Sequence, residues 1–507
     1  MEFTDERLSP PPSPTTVGPD EDEHSDKTRL LPVSVMRASS RWVTVEPIVL
    51  FASVIFGVFV TLSPQYLKQR LADAQNYTLP VDDYGENGTC SQNSSDPDYI
   101  KEQEIQADVS IWSMIITISS YFPSLFTAPI IGAWGDKVGR KYAIGLPIIG
   151  YTLSAIVYLF VLYFSLPLWV IAIAYFLQGV TGNYGLLLAG AYAYIADVTT
   201  KEKRMIRIVI IQAIFVLGIA LSQILVGMLI KAVGFAACLW LGLLGLLLCL
   251  IYLTVPPFLI ETIVCINSQE VTHIIDKSIL ESVIELFRHN TNRRQLKLIL
   301  LLLIAFTTEL LGQASLNVII IYGLGPPFCW GSVTVGWYSA MLLLVTAAGM
   351  ILGSKGFALC FSDTWIIQIG MLFAVANGLF NAFARDTLEL FIAAVVTAPH
   401  GVDQPMFHLM LSKLVNADEQ GVMFACESSV LNLSSFISPL FLNSIYSATV
   451  QTQPNSVFLA MAAARIVPAC LIVALQIVNR LNPDITLRLP ADKPIMMEKV
   501  HEDSKKE

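Results

Sequence analysis

Long apolar runs separated by polar stretches fill this chain from residue 46 to residue 479. Each run approaches the roughly 20 residues that an α-helix needs to cross a bilayer. In the first half they fall at about 46–64, 109–132, 142–164, 168–194, 207–230 and 235–255. In the second half they fall at about 297–322, 333–353, 364–383, 388–410, 422–447 and 455–479. The pattern predicts an all-α membrane protein with twelve transmembrane helices. A longer polar segment, 256–296, divides them into two six-helix bundles, 42–255 and 297–480. Residues 1–41 are Pro-rich and then acidic and read as a disordered tail, and 481–507 form a second polar tail.

Charge gives the helices an orientation. Only 14% of the 507 residues are charged, against roughly a quarter in a soluble domain. The net charge of −9 comes largely from the tails and one loop and gives no sign of nucleic-acid binding. Lys137, Arg140 and Lys141 fall between spans two and three. Lys201, Lys203, Arg204 and Arg207 fall between four and five, and Arg288, Arg293, Arg294 and Lys297 precede span seven. All share one side when both termini are cytoplasmic. No cleavable signal is visible, so the first helix is expected to act as its own signal.

The long first loop, 67–108, then faces outward. It holds three sequons for N-glycosylation, at Asn76, Asn87 and Asn93. Cys90 and Cys329 fall in outer loops, where an oxidising compartment would let them pair. The other six cysteines lie in or beside apolar segments and read as small hydrophobes. No spacing resembles a zinc site, and no metal or cofactor is expected.

Ionisable groups at membrane depth are costly and usually line a cavity. The candidates are Glu46, Glu309, His400, Asp403, His408, Glu427 and Arg465. Glu46, beside Pro47, is close enough to the span's end to reach the interface. Glu427 and Arg465 read equally as structural pairing partners. Glu309, Gln313 and Asn317 share one helical face of span seven. Span ten carries Pro399-His400-Gly401, Asp403-Gln404-Pro405 and then His408. Two prolines and a glycine weaken that helix and free backbone carbonyls, as transporter sites often require. In span four, Gly179, Gly182, Gly185 and Gly190 suit close helix packing. Asn183 and Gln212 are neutral groups able to contact a solute but not to carry a proton.

The stretch Gly132-Ala-Trp-Gly-Asp136-Lys137-Val-Gly139-Arg140-Lys141 lies between spans two and three. It matches the pattern G-x-x-x-D-[RK]-x-G-[RK]-[RK], and so resembles the cytoplasmic gate loop of major facilitator transporters. Gly353 to Asp363 keeps a Gly, a Lys and an Asp at the matching place in the second half, a degenerate repeat. Further marks are Gln65-Tyr66, Cys90, Ala196-Asp197, Pro327-Phe-Cys329-Trp330, Ser412-Lys-Leu-Val415, Glu419-Gln-Gly421 and Asn443 to Thr449. As a set these resemble the proton-coupled folate transporter family, the solute carrier 46 group, from Val45 to about residue 480.

The resemblance implies a disulfide between Cys90 and Cys329. It places Asp136 against the positive end of a helix dipole in the inward-closed form. The folate carrier's functional aspartate, glutamate, histidine, second aspartate and arginine fall at Asn183, Gln212, Gly312, Asn317 and His408 here. Five departures remove the basis for folate specificity, and loss of the arginine argues against a strongly anionic solute. Gly182-Asn183-Tyr184 is closer to the lysosomal member, which is associated with muramyl peptides and drug catabolites.

Asp26-Lys-Thr-Arg-Leu30-Leu31 matches the acidic dileucine form read by sorting adaptors, with lysosomal, endosomal or plasma membrane as the destination. The expected function is secondary active transport of a small organic solute by alternating access, with protons as the coupling ion in one version. A facilitative uniporter and a non-transporting receptor of the same fold are the alternatives. No nucleophile–base pair or phosphate loop points to an enzyme. Asp136 and Arg140 would hold the gate, and Asn183, Gln212, Glu309, Gln313, Asn317, His400, Asp403 and His408 would line the path.

Overall fold

A computed structural model describes residues 44–77, 97–199, 201–255, 293–415 and 420–481, with 29–30, 259, 261, 263–264 and 286–288. Nearly all of this is helix. A two-residue antiparallel pair, Arg29–Leu30 with Ile263–Val264, is the exception among the described residues. Among the described residues, ten helical segments are long and apolar enough to cross a membrane. They are Glu46–Ala74, Pro97–Gly132, Arg140–Phe164, Trp169–Ile195, Ile210–Val233 and Phe235–Thr254 in the first half. Arg294–Leu324, Ser332–Gly353, Asp363–Phe383 and Ser456–Leu481 belong to the second.

The two remaining spans fall short for chemical reasons. Span ten is broken into helices Thr387–Val396 and Asp403–Leu414, joined by a 3-10 turn at Ala398–Val402. Pro399 lacks the N–H that a continuous helix would use, and Gly401 adds no side chain to hold the turn. Span eleven is one helix, Gln420–Thr449. Buried Glu427, Ser434, Ser435, Ser438 and Asn443 lower its hydropathy without shortening it. With these two, the chain has the twelve helices and two bundles that its pattern predicts.

Two helices run further than hydropathy indicates. Span one continues to Ala74 and span two begins at Pro97, so the loop between them is shorter than 67–108. The cause is that the polar residues here are buried in protein. Lys68 donates to the Leu324 carbonyl at 2.5 Å, and Gln106 accepts from the Tyr446 hydroxyl at 2.7 Å. Glu102, Gln103 and Gln106 are also buried. Asn76 is exposed just past the helix end, whereas Asn87, Asn93 and Cys90 lie outside the described residues. Cys329 is disulfide-bonded.

These contacts join the two bundles at the end that carries the first loop. Span two meets span eleven there: Ser110 donates to the Asn443 carbonyl at 2.9 Å, and the Asn443 amide returns a bond to the Ser110 carbonyl at 3.3 Å. Span five crosses span eight where Gly227 faces Gly336. A Cβ on Gly336 would stand 2.5 Å from the Gln223 carbonyl and 3.3 Å from the Gly227 Cα, so any larger residue forces the spans apart. Without a hydrophobic force between helices in lipid, such close backbone approach is what holds them. Facing outward, Phe122, Phe126, Phe160 and Leu352 are exposed, as a lipid-facing surface requires. Trp240 donates to the Tyr163 hydroxyl at 3.1 Å near the ends of spans six and three, an interfacial aromatic pair.

The geometry of the Ser110–Asn443 contact can be tested by cross-linking. The double variant Ser110→Cys, Asn443→Cys is expected to form an oxidant-dependent disulfide between the bundles. Cleavage in the central loop followed by non-reducing electrophoresis detects it, and fragments that separate freely after oxidation contradict the packing.

Candidate functional site

A cavity of about 360 Å³ opens at the middle of the molecule. Its walls come almost entirely from the second bundle. Glu309 and Gln313 come from span seven, Thr346 and Met350 from span eight, and Asn377 from span nine. His400, Asp403 and His408 come from span ten, Glu427 from span eleven and Arg465 from span twelve. Gln212 and Val216 of span five are the lining residues from the first bundle.

Breaks in the helices place these groups. The turn at Ala398–Val402 sets His400 and Asp403 at the junction of two half-helices. His400 Nδ1 lies 2.8 Å from the Thr397 carbonyl. A carbonyl only accepts, so Nδ1 carries the hydrogen and Nε2 is the atom left for the cavity. Asp403 opens the second half-helix, where a carboxylate suits the positive end of the dipole. Span seven also breaks, between helices Arg294–Gly312 and Ser315–Leu324. Span twelve breaks at Arg465, between Ser456–Ala464 and Ile466–Leu481.

The cavity's charges are coupled. His408 Nδ1 lies 2.9 Å from the Glu427 carboxylate. Arg465 Nη1 lies 3.9 Å from Asp403 Oδ2. Three carboxylates, two imidazoles and one guanidinium therefore share one space. Glu427 and Arg465, which the sequence left as structural partners, are wall residues of the same cavity. Gln313 spans the two bundles, donating to the Tyr121 hydroxyl at 2.8 Å and the Tyr184 hydroxyl at 3.2 Å. Gln212 bonds the Tyr192 hydroxyl.

Two expected path residues sit elsewhere. Asn183 is buried at the break in span four, where its side chain bonds the Tyr151 hydroxyl at 2.6 Å and Ser120 at 3.0 Å. It ties three helices of the first bundle together and is not among the cavity's wall residues. Asn317 lies beyond the break in span seven, so the single face expected for Glu309, Gln313 and Asn317 is interrupted. Its Oδ1 is buried with no hydrogen-bond partner among the described residues.

At the basic end the gate motif forms a helix junction. Gly132 is in the last part of span two, and Gly139 has φ 153 at the start of span three, in a region that favours glycine. Arg140 pairs with Asp197 at the end of span four, Nε to Oδ2 2.9 Å. The side chains of Asp136 and Lys137 lie outside the described set, so the expected dipole contact of Asp136 does too. A carboxylate that the sequence did not single out does meet a helix N-terminus here. Glu261 accepts from the backbone N–H of Arg140 at 2.8 Å and of Lys141 at 3.1 Å. Glu46 is paired as well, 2.7 Å from Arg207.

The second bundle repeats the Arg140–Asp197 pair with the charges exchanged. Asp363, at the start of span nine, meets Lys413, at the end of span ten, at 2.6 Å. This gives the degenerate repeat around Gly353 to Asp363 a structural meaning.

The comparisons with known proteins agree with this architecture. The Major Facilitator Superfamily model matches residues 48–357. The chain belongs to the major facilitator superfamily. It falls within the solute carrier 46 group of that superfamily. It is 30% identical to the lysosomal proton-coupled steroid conjugate and bile acid symporter SLC46A3 of Gallus gallus, over 88% of this chain and 97% of the relative. It is 28% identical to the proton-coupled folate transporter of Rattus norvegicus, over 86% of this chain and 92% of the relative. Among solved structures, the human organic anion transporter MFSD10 superposes with a TM-score of 0.57 at 16% identity, covering 84% of this chain and 97% of that one. The peptide transporter POT in complex with sulfate gives a TM-score of 0.54 at 14% identity, covering 90% of this chain and 100% of that one. The chain is a multi-pass membrane protein and a secondary transporter of a small organic solute, not an enzyme.

Asp363 is only 3% exposed, so its pairing can be measured. Lys413→Met should lower stability by about 3–5 kcal/mol, because it leaves a buried carboxylate without its cation. Adding Asp363→Asn to that variant should recover much of the loss. Melting of the purified protein in detergent reads both, and an unchanged melting temperature in Lys413→Met would refute the pairing.

Proposed function

We propose that this transporter couples inward solute movement to protons, with Glu309 and Asp403 as the proton-carrying groups, at a lysosomal or endosomal membrane. The observation that carries the reading is the meeting of two carboxylates from different spans in one cavity, beside His400 and His408. A carboxylate at membrane depth alternates readily between a neutral and a charged form as its surroundings change. The named activities of the curated relatives, both proton-coupled, support the coupling ion.

Both termini and the basic gate loop are taken as cytoplasmic. The Lys68, Ser110 and Gly227 contacts then close the lumenal side, as an inward-facing state requires. Alternating access follows if the bundles rock about the midplane, where Gln313 bridges to Tyr121 and Tyr184. The relatives' cargoes support an amphipathic organic solute, and the wall of Met350, Leu431 and Met461 offers it apolar surface. Outside the membrane, Asn76, Asn87 and Asn93 would carry glycans on the lumenal loop, and Cys90 would be the partner of Cys329.

Uptake into vesicles at about pH 5.5 and about pH 7.5 tests the coupling, since the two values differ widely in the proton supply to the cavity. Wild-type uptake should be faster on the acidic side, and Glu309→Gln and Asp403→Asn should each abolish the pH dependence. Equal wild-type rates at the two values would replace coupling with facilitated diffusion.

The address is testable separately. Leu30→Ala with Leu31→Ala should shift the protein from lysosomes to the plasma membrane, by surface biotinylation, if an adaptor reads the motif that begins at Asp26. Unchanged surface levels would remove the motif from the account.

A further inference from the structure

We propose that Arg465 binds the anionic group of the solute, and that Asp403 holds its place until protonated. This rests on the transport reading above and assigns that site a recognition residue. The family's arginine in span ten is His408 here, yet the cavity retains a guanidinium, supplied from span twelve.

The geometry around Arg465 is that of a donor awaiting an acceptor. Its side chain is 10% exposed. Nη1 is buried with no hydrogen-bond partner among the described residues. Asp403 Oδ2 stands 3.9 Å away, which is ion-pair range but too long for a hydrogen bond. A guanidinium has five N–H donors in a planar fork and is matched by two oxygens of one anion. Leaving a buried donor unmade is costly, so a carboxylate or sulfate reaching Nη1 would gain more than the same contact in water. Arg465 also stands where span twelve breaks, which brings its backbone and side chain to the cavity wall.

The neighbouring charges give this contact a direction. Glu309 faces the cavity from span seven, His400, Asp403 and His408 from span ten, and Glu427 from span eleven, where it pairs with His408. Spans eight and nine contribute the neutral Thr346 and Asn377, and span five contributes Gln212. Tyr121 and Tyr184 reach the site through Gln313. An arriving anion thus meets two like charges, Asp403 and Glu309, beside the cavity's guanidinium. A proton on Asp403 removes the repulsion and releases Arg465 together. Anion binding and proton uptake are then linked reciprocally, because each favours the other by the same factor.

Radiolabelled cholate, estrone sulfate and folate serve as anionic probes, and cholate methyl ester as the uncharged one, with the purified full chain. Wild type should bind at least one anion more tightly at acidic pH. Arg465→Gln should weaken that binding by about tenfold or more while leaving the methyl ester unaffected, and Arg465→Lys should fall between. Asp403→Asn, with Arg465 intact, should bind the anion equally well at both pH values, which keeps the test open should Arg465→Gln fail to fold. Anion binding by folded Arg465→Gln at the wild-type level overturns the assignment. So does an Asp403→Asn variant with the wild-type pH profile, or a wild type that binds none of the three anions. Binding that follows the proposal in a protein that moves no solute would instead overturn the transport reading alone.

Discussion

A charge carried below the membrane surface must be compensated within the protein or beside trapped water, and that constraint organises this molecule. At the basic end Glu46 meets Arg207, Arg140 meets Asp197 and Asp363 meets Lys413. Each pair ties a helix terminus to another of the same bundle, start to start for Glu46 and Arg207 and start to end for the other two, while satisfying its own charges. At the opposite end Lys68 is buried between the bundles against a backbone carbonyl. At mid-depth His408 and Glu427 pair at 2.9 Å, but Arg465 and Asp403 stand apart.

The helix-end pairs differ in geometry from the Arg465–Asp403 pair on which the proposed mechanism rests. The helix-end pairs are 2.6 to 2.9 Å long and join elements of one bundle. Arg465 and Asp403 stand 3.9 Å apart in an open cavity. A group held by a short bond to a fixed partner has little reason to change state. A guanidinium facing several carboxylates at longer range can exchange one for another, or for a solute, at modest cost. The broken helices in spans seven, ten and twelve serve the same end. They bring backbone and side chains to the cavity that a continuous helix would keep on its own surface.

The two bundles divide the work unevenly. The first is closely packed, with Asn183, Tyr151 and Ser120 bonded to one another in its interior. It offers the cavity little beyond Gln212 and Val216. The second supplies the ionisable wall. At the cavity, Gln313 reaches from the second into the first, toward Tyr121 and Tyr184. A movement of one bundle against the other would break those bonds together with those at the Ser110–Asn443 contact, so the two contacts are mechanically joined.

Much of this was legible from the chain alone. Apolar length marked the helices, because a bilayer of given thickness admits few other solutions. Proline and glycine marked the break in span ten, and depth marked Glu309, Asp403 and His408 as exceptional. Hydropathy misplaced the ends of spans one and two, because it takes Lys68 and Glu102 to be in water when neighbouring helices bury them. Periodicity put Asn317 beside Glu309, but the helix is interrupted between them. Composition could not tell that Asn183 is satisfied inside a bundle while Arg465, far along the chain, opens into the cavity. Sequence by itself determined the helices, the two bundles and the scarcity of charge, since these follow from local composition and the solvent. Tertiary structure alone decided which charges meet, because pairing depends on distances between helices that are far apart in the chain.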